Sequence, residues 1–334
     1  MRIFVAGAAG AIGKRLVPLL VTCGHDVVAT TRSEDKFNSL RAFGAEPVLM
    51  DGLNRDEVMR AVVNSRPDVI VHEMTSLGSM RSLTNFDPQL AMTNRLRTEG
   101  TENLIAAARQ SGARKFVAQS YAGWPNIRRG GRVKTESDPL DPCPPKGMTQ
   151  TLAAIRTLES LVTDANGIAG IVLRYGSFYG PGTSLALDGG IFELVRRRKL
   201  PLIGGGTGVW SFIHVDDAAV ATRLAIEHGA PGIYNVVDDD AAEVSVWLPE
   251  LARILVAKPP RHLPAWLGRL LLGDAGFSIM TKVRGSSNAK AKRELNWQPK
   301  YASWREGFRR GLSREPSRDR PEASLPVGFL RHRG

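Results

Sequence analysis

The 334 residues exceed what most single cores hold, so one enlarged α/β domain with a smaller lobe is the expected size class. A hydrophobic fraction of 43% supports a buried core, yet no uninterrupted apolar run approaches the ~18 residues of a membrane span, and two cysteines, Cys23 and Cys143, make no disulfide framework. The net charge of +12 is concentrated at one end, with 14 Lys/Arg against 5 Asp/Glu in residues 282–334; without a helix-turn-helix, RNP-like or zinc-finger pattern it reads as a solvated region, not a nucleic-acid surface.

In chain order, Ile3–Ala6 is the first apolar run and predicts a strand. Gly7-Ala-Ala-Gly10-Ala11-Ile12-Gly13 follows directly and opens an amphipathic helix. Glycines at that junction permit a tight turn and a close backbone approach to a pyrophosphate, which the free N–H groups of the helix start then hold. The second strand, Val27–Thr31, ends without the carboxylate that would hold a ribose 2′-hydroxyl; Arg32 follows it instead. Arg32 and Arg15 are placed to meet a 2′-phosphate, which favours NADP over NAD as the cofactor. The alternative is that both are solvated arginines at helix ends.

Pro47–Met50 forms the third strand, and Asp51 behind it either accepts from an adenine amino group or caps the next helix. Val69–His72 is the fourth strand and Glu73 ends it, with a capping role weighed above a contact to ribose or substrate. An amphipathic helix over 94–110, a fifth strand at Phe116–Gln119, a helix at Thr149–Ala165 and a sixth strand at Ile171–Arg174 complete an alternation that predicts a doubly wound parallel sheet of Rossmann type. Turn clusters at Tyr179–Thr183 and Gly204–Gly208 mark a change of character, and helices rich in Leu and Trp follow from 241. Residues 1–175 and 213–240 are therefore assigned to the nucleotide-binding domain, 176–212 and 241–312 to a C-terminal substrate lobe, and 313–334 to a disordered basic tail.

Several stretches together resemble the extended epimerase/dehydratase branch of the short-chain dehydrogenase/reductases. They are GAAGAIG at 7–13, GTENLIAAARQSGARKFVAQS at 100–120, LRYGSFYGPGT at 173–183, FIHVDDAA at 212–219, YNVVDDD at 234–240 and NAKAKRELNWQPKY at 288–301. The resemblance covers residues 1–312. It implies that the glycine loop, Asp51 with Gly52, and the ends of the fourth and fifth strands, at Met74, Thr75 and Ser120, touch the cofactor.

The departures are equally informative. Catalysis in that family uses a Tyr-x-x-x-Lys pair in the helix after the fifth strand, but residues 122–174 contain no tyrosine. Registered on Glu159, the two positions hold Thr151 and Ile155. Arg97 replaces the usual asparagine, and Tyr121 occupies the position of the catalytic Ser/Thr, with Ser120 just before it. Because a strand alternates its faces, only one of Ser120 and Tyr121 points at the nicotinamide. Tyr121 is the first candidate for the proton donor, against an equal case for a structural tyrosine. Tyr175, Ser177 and Trp210 are candidate substrate contacts, with core packing the better reading for Tyr175, and His214 is assigned a structural part.

The function expected is an NADP-dependent oxidoreductase that reduces a carbonyl or activated double bond of a small, fairly apolar metabolite. The rivals are a cofactor-binding regulator without turnover, and an epimerase or dehydratase with relocated acid–base groups. A cytoplasmic location, a small-molecule substrate, no metal, and neither nucleic acid nor membrane as partner are expected, with a homodimer as the assembly considered.

Overall fold

The computed structural model describes residues 1–77 and 86–312; the tail expected at 313–334 lies outside the described residues. Seven strands form the central sheet: β1 (Arg2–Ala6), β2 (Asp26–Thr31), β3 (Glu46–Leu49), β4 (Val69–His72), β5 (Lys115–Tyr121), β6 (Ala169–Tyr175) and β7 (Gly232–Val236). They lie in the order β7-β6-β5-β4-β1-β2-β3 and every pairing is parallel. The order reverses between β1 and β4, which opens a crevice at the carboxyl ends of those two strands.

The strands are apolar because both sheet faces are covered. Ile3, Val5, Val71, Val117 and Leu173 pack under the helices Gly13–Thr22 and Val215–His228. Their alternates Phe4, Ala6, Ile70, Phe116, Ala118 and Val172 pack under Arg55–Ser65, Thr101–Ser111 and Thr149–Thr163. The helix expected over 94–110 is real but interrupted, because Leu96–Gly100 widens to a π turn between Ala91–Arg95 and Thr101–Ser111.

Buried residues between 179 and 312 form a separate aromatic core, in which Phe212 meets Trp247 and Phe308 with ring centroids 5.5 Å apart. His214 is held at both ring nitrogens: its Nδ1 accepts from the amide of Asp216 and its Nε2 lies 2.8 Å from the carbonyl of Gly311. One of the Leu- and Trp-rich helices expected from 241 runs over Ala265–Thr281, and a non-helical Gly273 kinks it. Among the described residues no helix is long and apolar enough to cross a membrane.

Candidate active site

The glycine loop leaves β1 as a cradle that side chains would fill. Gly7 has φ +93°, and a Cβ there would sit 2.7 Å from the carbonyl carbon of Glu73. A Cβ on Gly13 would fall 2.3 Å from the carbonyl oxygen of Ala8. Gly10 donates to Gly7 O at 3.0 Å, while the amides of Ala11 and Ile12 have no acceptor among the described residues. Unpaired amides at a helix start without a side-chain cap fit a pyrophosphate, so the residues present suit a dinucleotide.

Around that loop the polar residues separate. Arg32 is exposed at the end of β2, and its side chain has no partner among the described residues. Arg15 is held elsewhere: its guanidinium pairs with Asp216 and donates to Ala11 O at 2.9 Å and Pro181 O at 2.6 Å. Asp51 accepts from the amide of Leu53 at 3.0 Å, and capping of the next helix falls to Asn54, whose Oδ1 accepts from Asp56 and Glu57. Gly52 lets Met74 in, since a Cβ there would stand 2.5 Å from the Met74 sulfur; Thr75 follows at the partly open edge.

At the end of β4 the side chains turn inward. His72 accepts from the amide of Met74 at Nδ1 and donates from Nε2 to Leu96 O at 3.1 Å, so it is neutral. Burial pushes its pKa down to about 4. Glu73 is buried as well, and its carboxylate caps no helix among the described residues. Its Oε1 accepts from Tyr175 Oη at 3.0 Å, its Oε2 has no partner among the described residues, and burial pushes its pKa up to about 8. Tyr175, a candidate substrate contact, lies in the core instead, 1% exposed, its hydroxyl also 2.7 Å from Thr222 Oγ1.

Strand alternation separates Ser120 from Tyr121. Ser120 turns under the sheet and donates to Glu159 Oε1 at 2.7 Å, and Arg174 clamps the same carboxylate at 2.8 and 2.6 Å. Tyr121 turns the other way, with its hydroxyl 3.0 Å from Ser177 Oγ and its ring 6.0 Å from Trp124. Burial raises the Tyr121 pKa above its ordinary value, a hydrogen bond from Ser177 and the positive charge of Arg97 opposing it less strongly.

Thr151 and Ile155 are both buried in the helix Thr149–Thr163. Thr151 donates to Asp87 Oδ1 at 2.8 Å and accepts from Asn94 Nδ2 at 3.1 Å. Trp210 is locked into the lobe, its indole donating to Ile279 O at 3.0 Å and its ring 4.8 Å from Trp247. A groove of about 760 Å³ lies between Lys146–Gly147 and the helix that carries Trp266, Arg269 and Leu270.

Two features escaped the sequence reading. One is the Glu73–Tyr175 hydrogen bond, which joins strand ends 102 positions apart. The other is Arg97, noticed as a departure from the family pattern but given no role; it lies on the π turn, 6% exposed.

Comparison with known proteins accords with this geometry. The family described as "NAD dependent epimerase/dehydratase family" matches residues 3–236. A 3-diazoavenalumate denitrifying reductase from a Streptomyces species is 45% identical over 93% of this chain and 100% of its own length. A 2-alkyl-3-oxoalkanoate reductase from Stenotrophomonas maltophilia is 29% identical over 70% of this chain and 67% of its own. Among solved structures, Thermus thermophilus UDP-glucose 4-epimerase in complex with NAD superposes with TM-score 0.71 at 23% identity, covering 93% of this chain and 98% of that one. A human epimerase family protein with NADPH gives 0.72 at 18% identity, covering 93% and 99%. The chain belongs to the NAD-dependent epimerase/dehydratase family and is an oxidoreductase built on a nicotinamide-nucleotide fold.

Proposed function

We propose that this protein is an NADP(H)-dependent reductase of a small, fairly apolar organic substrate, and that it works without a tyrosine–lysine proton relay. The observation that carries the proposal is the pairing of Tyr121 with Ser177 at the end of β5, while the relay positions hold the buried Thr151 and Ile155. The amides of Ala11, Ile12 and Gly13 hold the pyrophosphate beside Gly7 and Gly10, Arg32 meets the 2′-phosphate, and Asp51 with Gly52 borders the adenine. Met74 and Thr75 wall the crevice at the end of β4. The bound cofactor supplies a hydride. Tyr121 and Ser177 orient the substrate by hydrogen bonds, which needs no ionisation of the phenol.

The reaction class follows from the proton demand. Replacing an aryl diazonium group by hydrogen forms a C–H bond with the hydride pair, while the C–N pair leaves on dinitrogen; charge then balances and the protein supplies no proton. Reduction of a ketone takes a hydride and also a proton. The first reaction asks only hydrogen bonds of Tyr121 and Ser177 and is the first reading. The relative at 45% identity is named for a denitrifying reduction, which favours this ordering. Carbonyl reduction is the second reading, favoured by the relative named as an oxoalkanoate reductase.

The test is NADPH oxidation by the purified protein with 3-diazoavenalumate and, separately, with a 2-alkyl-3-oxoalkanoate. Cofactor oxidation matched by release of dinitrogen is the expected result. Oxidation with the ketone alone selects the second reading. Tight NADPH binding with no turnover of either sinks both and leaves a cofactor-binding regulator.

A further inference from the structure

Arg97 is a buried cation with no hydrogen-bonded counter-ion among the described residues. Its side chain is 6% exposed overall, and Nε and Nη1 have no hydrogen-bond partner among the described residues. Its charge is felt at Glu159 and at Tyr121. Glu159 is not available to neutralise it: both carboxylate oxygens are held by Arg174 at 2.8 and 2.6 Å, and Ser120 takes a further bond at 2.7 Å. That carboxylate is matched one-to-one by Arg174, so Arg97 is left in excess. His72, the other titratable neighbour, is neutral in its hydrogen-bond pattern.

A fold that buries a guanidinium without a partner accepts one of the costliest arrangements available to it. Such a group is explained when a ligand supplies the missing acceptor. The π turn at Leu96–Gly100 is the local device, since an extra residue in a helical turn re-aims the side chains it carries and such turns gather at functional sites. The nearby Tyr121–Ser177 pair gives the same neighbourhood two hydroxyls.

We propose that Arg97 receives an anionic oxygen of the substrate beside Tyr121, so that the substrate class is a small organic anion, a carboxylate or an aryl oxide. This assignment rests on the protein being a reductase. The binding site itself is testable without turnover. A guanidinium presents paired N–H donors that match a carboxylate, and an excess positive charge selects the ionised acid over its neutral amide.

The experiment uses the full chain loaded with NADP⁺, and benzoate and cinnamate as probes against benzamide and cinnamamide. Binding is read by calorimetry and by quenching of tryptophan fluorescence, with Trp124 next to Tyr121 as reporter. The expected result is that at least one acid binds the wild type ~10-fold or more tightly than its amide. Arg97→Met should abolish that preference, keep the NADP⁺ dissociation constant within about twofold, and melt no lower than wild type, because it removes an uncompensated charge. Arg97→Lys keeps a point charge and should retain part of the preference, which keeps the test decisive if the methionine variant folds poorly.

Equal binding of acids and amides by the wild type overturns the proposal. So does a preference that survives in Arg97→Met, or a parallel loss of NADP⁺ affinity, which would hand Arg97 to the cofactor. Failure of the reductase reading registers separately, as absent NADPH oxidation while the anion preference persists.

Discussion

Tyr175 donates its hydroxyl hydrogen to Glu73 Oε1 across 3.0 Å, joining the end of β6 to the end of β4 behind the glycine loop. The carboxyl is buried, its second oxygen is unpartnered among the described residues, and its pKa stands at about 8 against an ordinary 4.5. Glu73 is therefore a neutral acid in the folded protein at neutral pH. Its contribution is fully present below the unfolded pKa and is lost as pH rises through the folded one. Within that window stability should fall by about 1.4 kcal/mol per pH unit from this group.

Glu73→Gln keeps an acceptor for Tyr175 and has no charge to bury. Relative to wild type it should gain stability steadily as pH is raised from about 5 to about 8, and level off beyond. Urea denaturation of both proteins across that range measures the difference. A difference that stays flat with pH would show that Glu73 ionises freely in the fold.

Glu159 is shared by Arg174 and Ser120 and sits near the charge of Arg97. Glu159→Ala strands Arg174 in the interior beside the unpaired Arg97, and the expected cost is about 3–5 kcal/mol. Arg174→Met should cost less, because Arg97 remains to balance the carboxylate. Equal losses in chemical denaturation would show that Arg97 does not exchange partners.

Arg32 is exposed and unpaired among the described residues, whereas Arg15 is bound to Asp216 and Pro181 O. Arg32→Ala should weaken NADP binding ~10-fold or more, with NAD binding little changed, because only NADP carries the 2′-phosphate. Arg15→Ala should lower stability and change both cofactors alike. Fluorescence titration with each cofactor settles this; equal losses for Arg32→Ala would remove it from the 2′-phosphate.

Tyr121→Phe separates the two chemistries of the proposed reductase. If the phenol only orients the substrate, NADPH oxidation with a diazo substrate should persist within about tenfold, a loss of ~1.4 kcal/mol for one hydrogen bond. A ketone reduction that draws its proton from Tyr121 should fall by ~10²-fold or more. Measuring kcat and KM for both substrates gives the answer.

Gly7→Ala would put a methyl group 2.7 Å from the Glu73 carbonyl carbon at a φ of +93°. Thermal melting should register a loss of at least ~1–3 kcal/mol, accompanied by weakened nucleotide binding. A variant with wild-type melting and affinity would disprove the close approach.

The parallel sheet and the glycine loop were legible in the sequence because both are local. A run such as Ile3–Ala6 is buried on both faces whatever covers it, and the loop's turn is set by adjacent glycines. The exposed Arg32 was legible for the same reason, since a charge just past a strand needs no distant partner. The kink at Gly273 and the π turn at 96–100 were not, because both depend on packing against elements elsewhere.

Side-chain destinations were decided only by tertiary structure. Ser120 and Tyr121 are neighbours in sequence, yet one meets Glu159 and the other Ser177, each supplied by a different distant element. Arg15 found its carboxylate 201 positions away, and Tyr175 its acid 102 positions away. Sequence by itself determined that the chain makes a dinucleotide fold and lacks a tyrosine between 122 and 174. Which charges end up paired, and that Nε and Nη1 of Arg97 find no partner among the described residues, was settled by packing, because a buried charge is satisfied or stranded only by groups that folding brings to it.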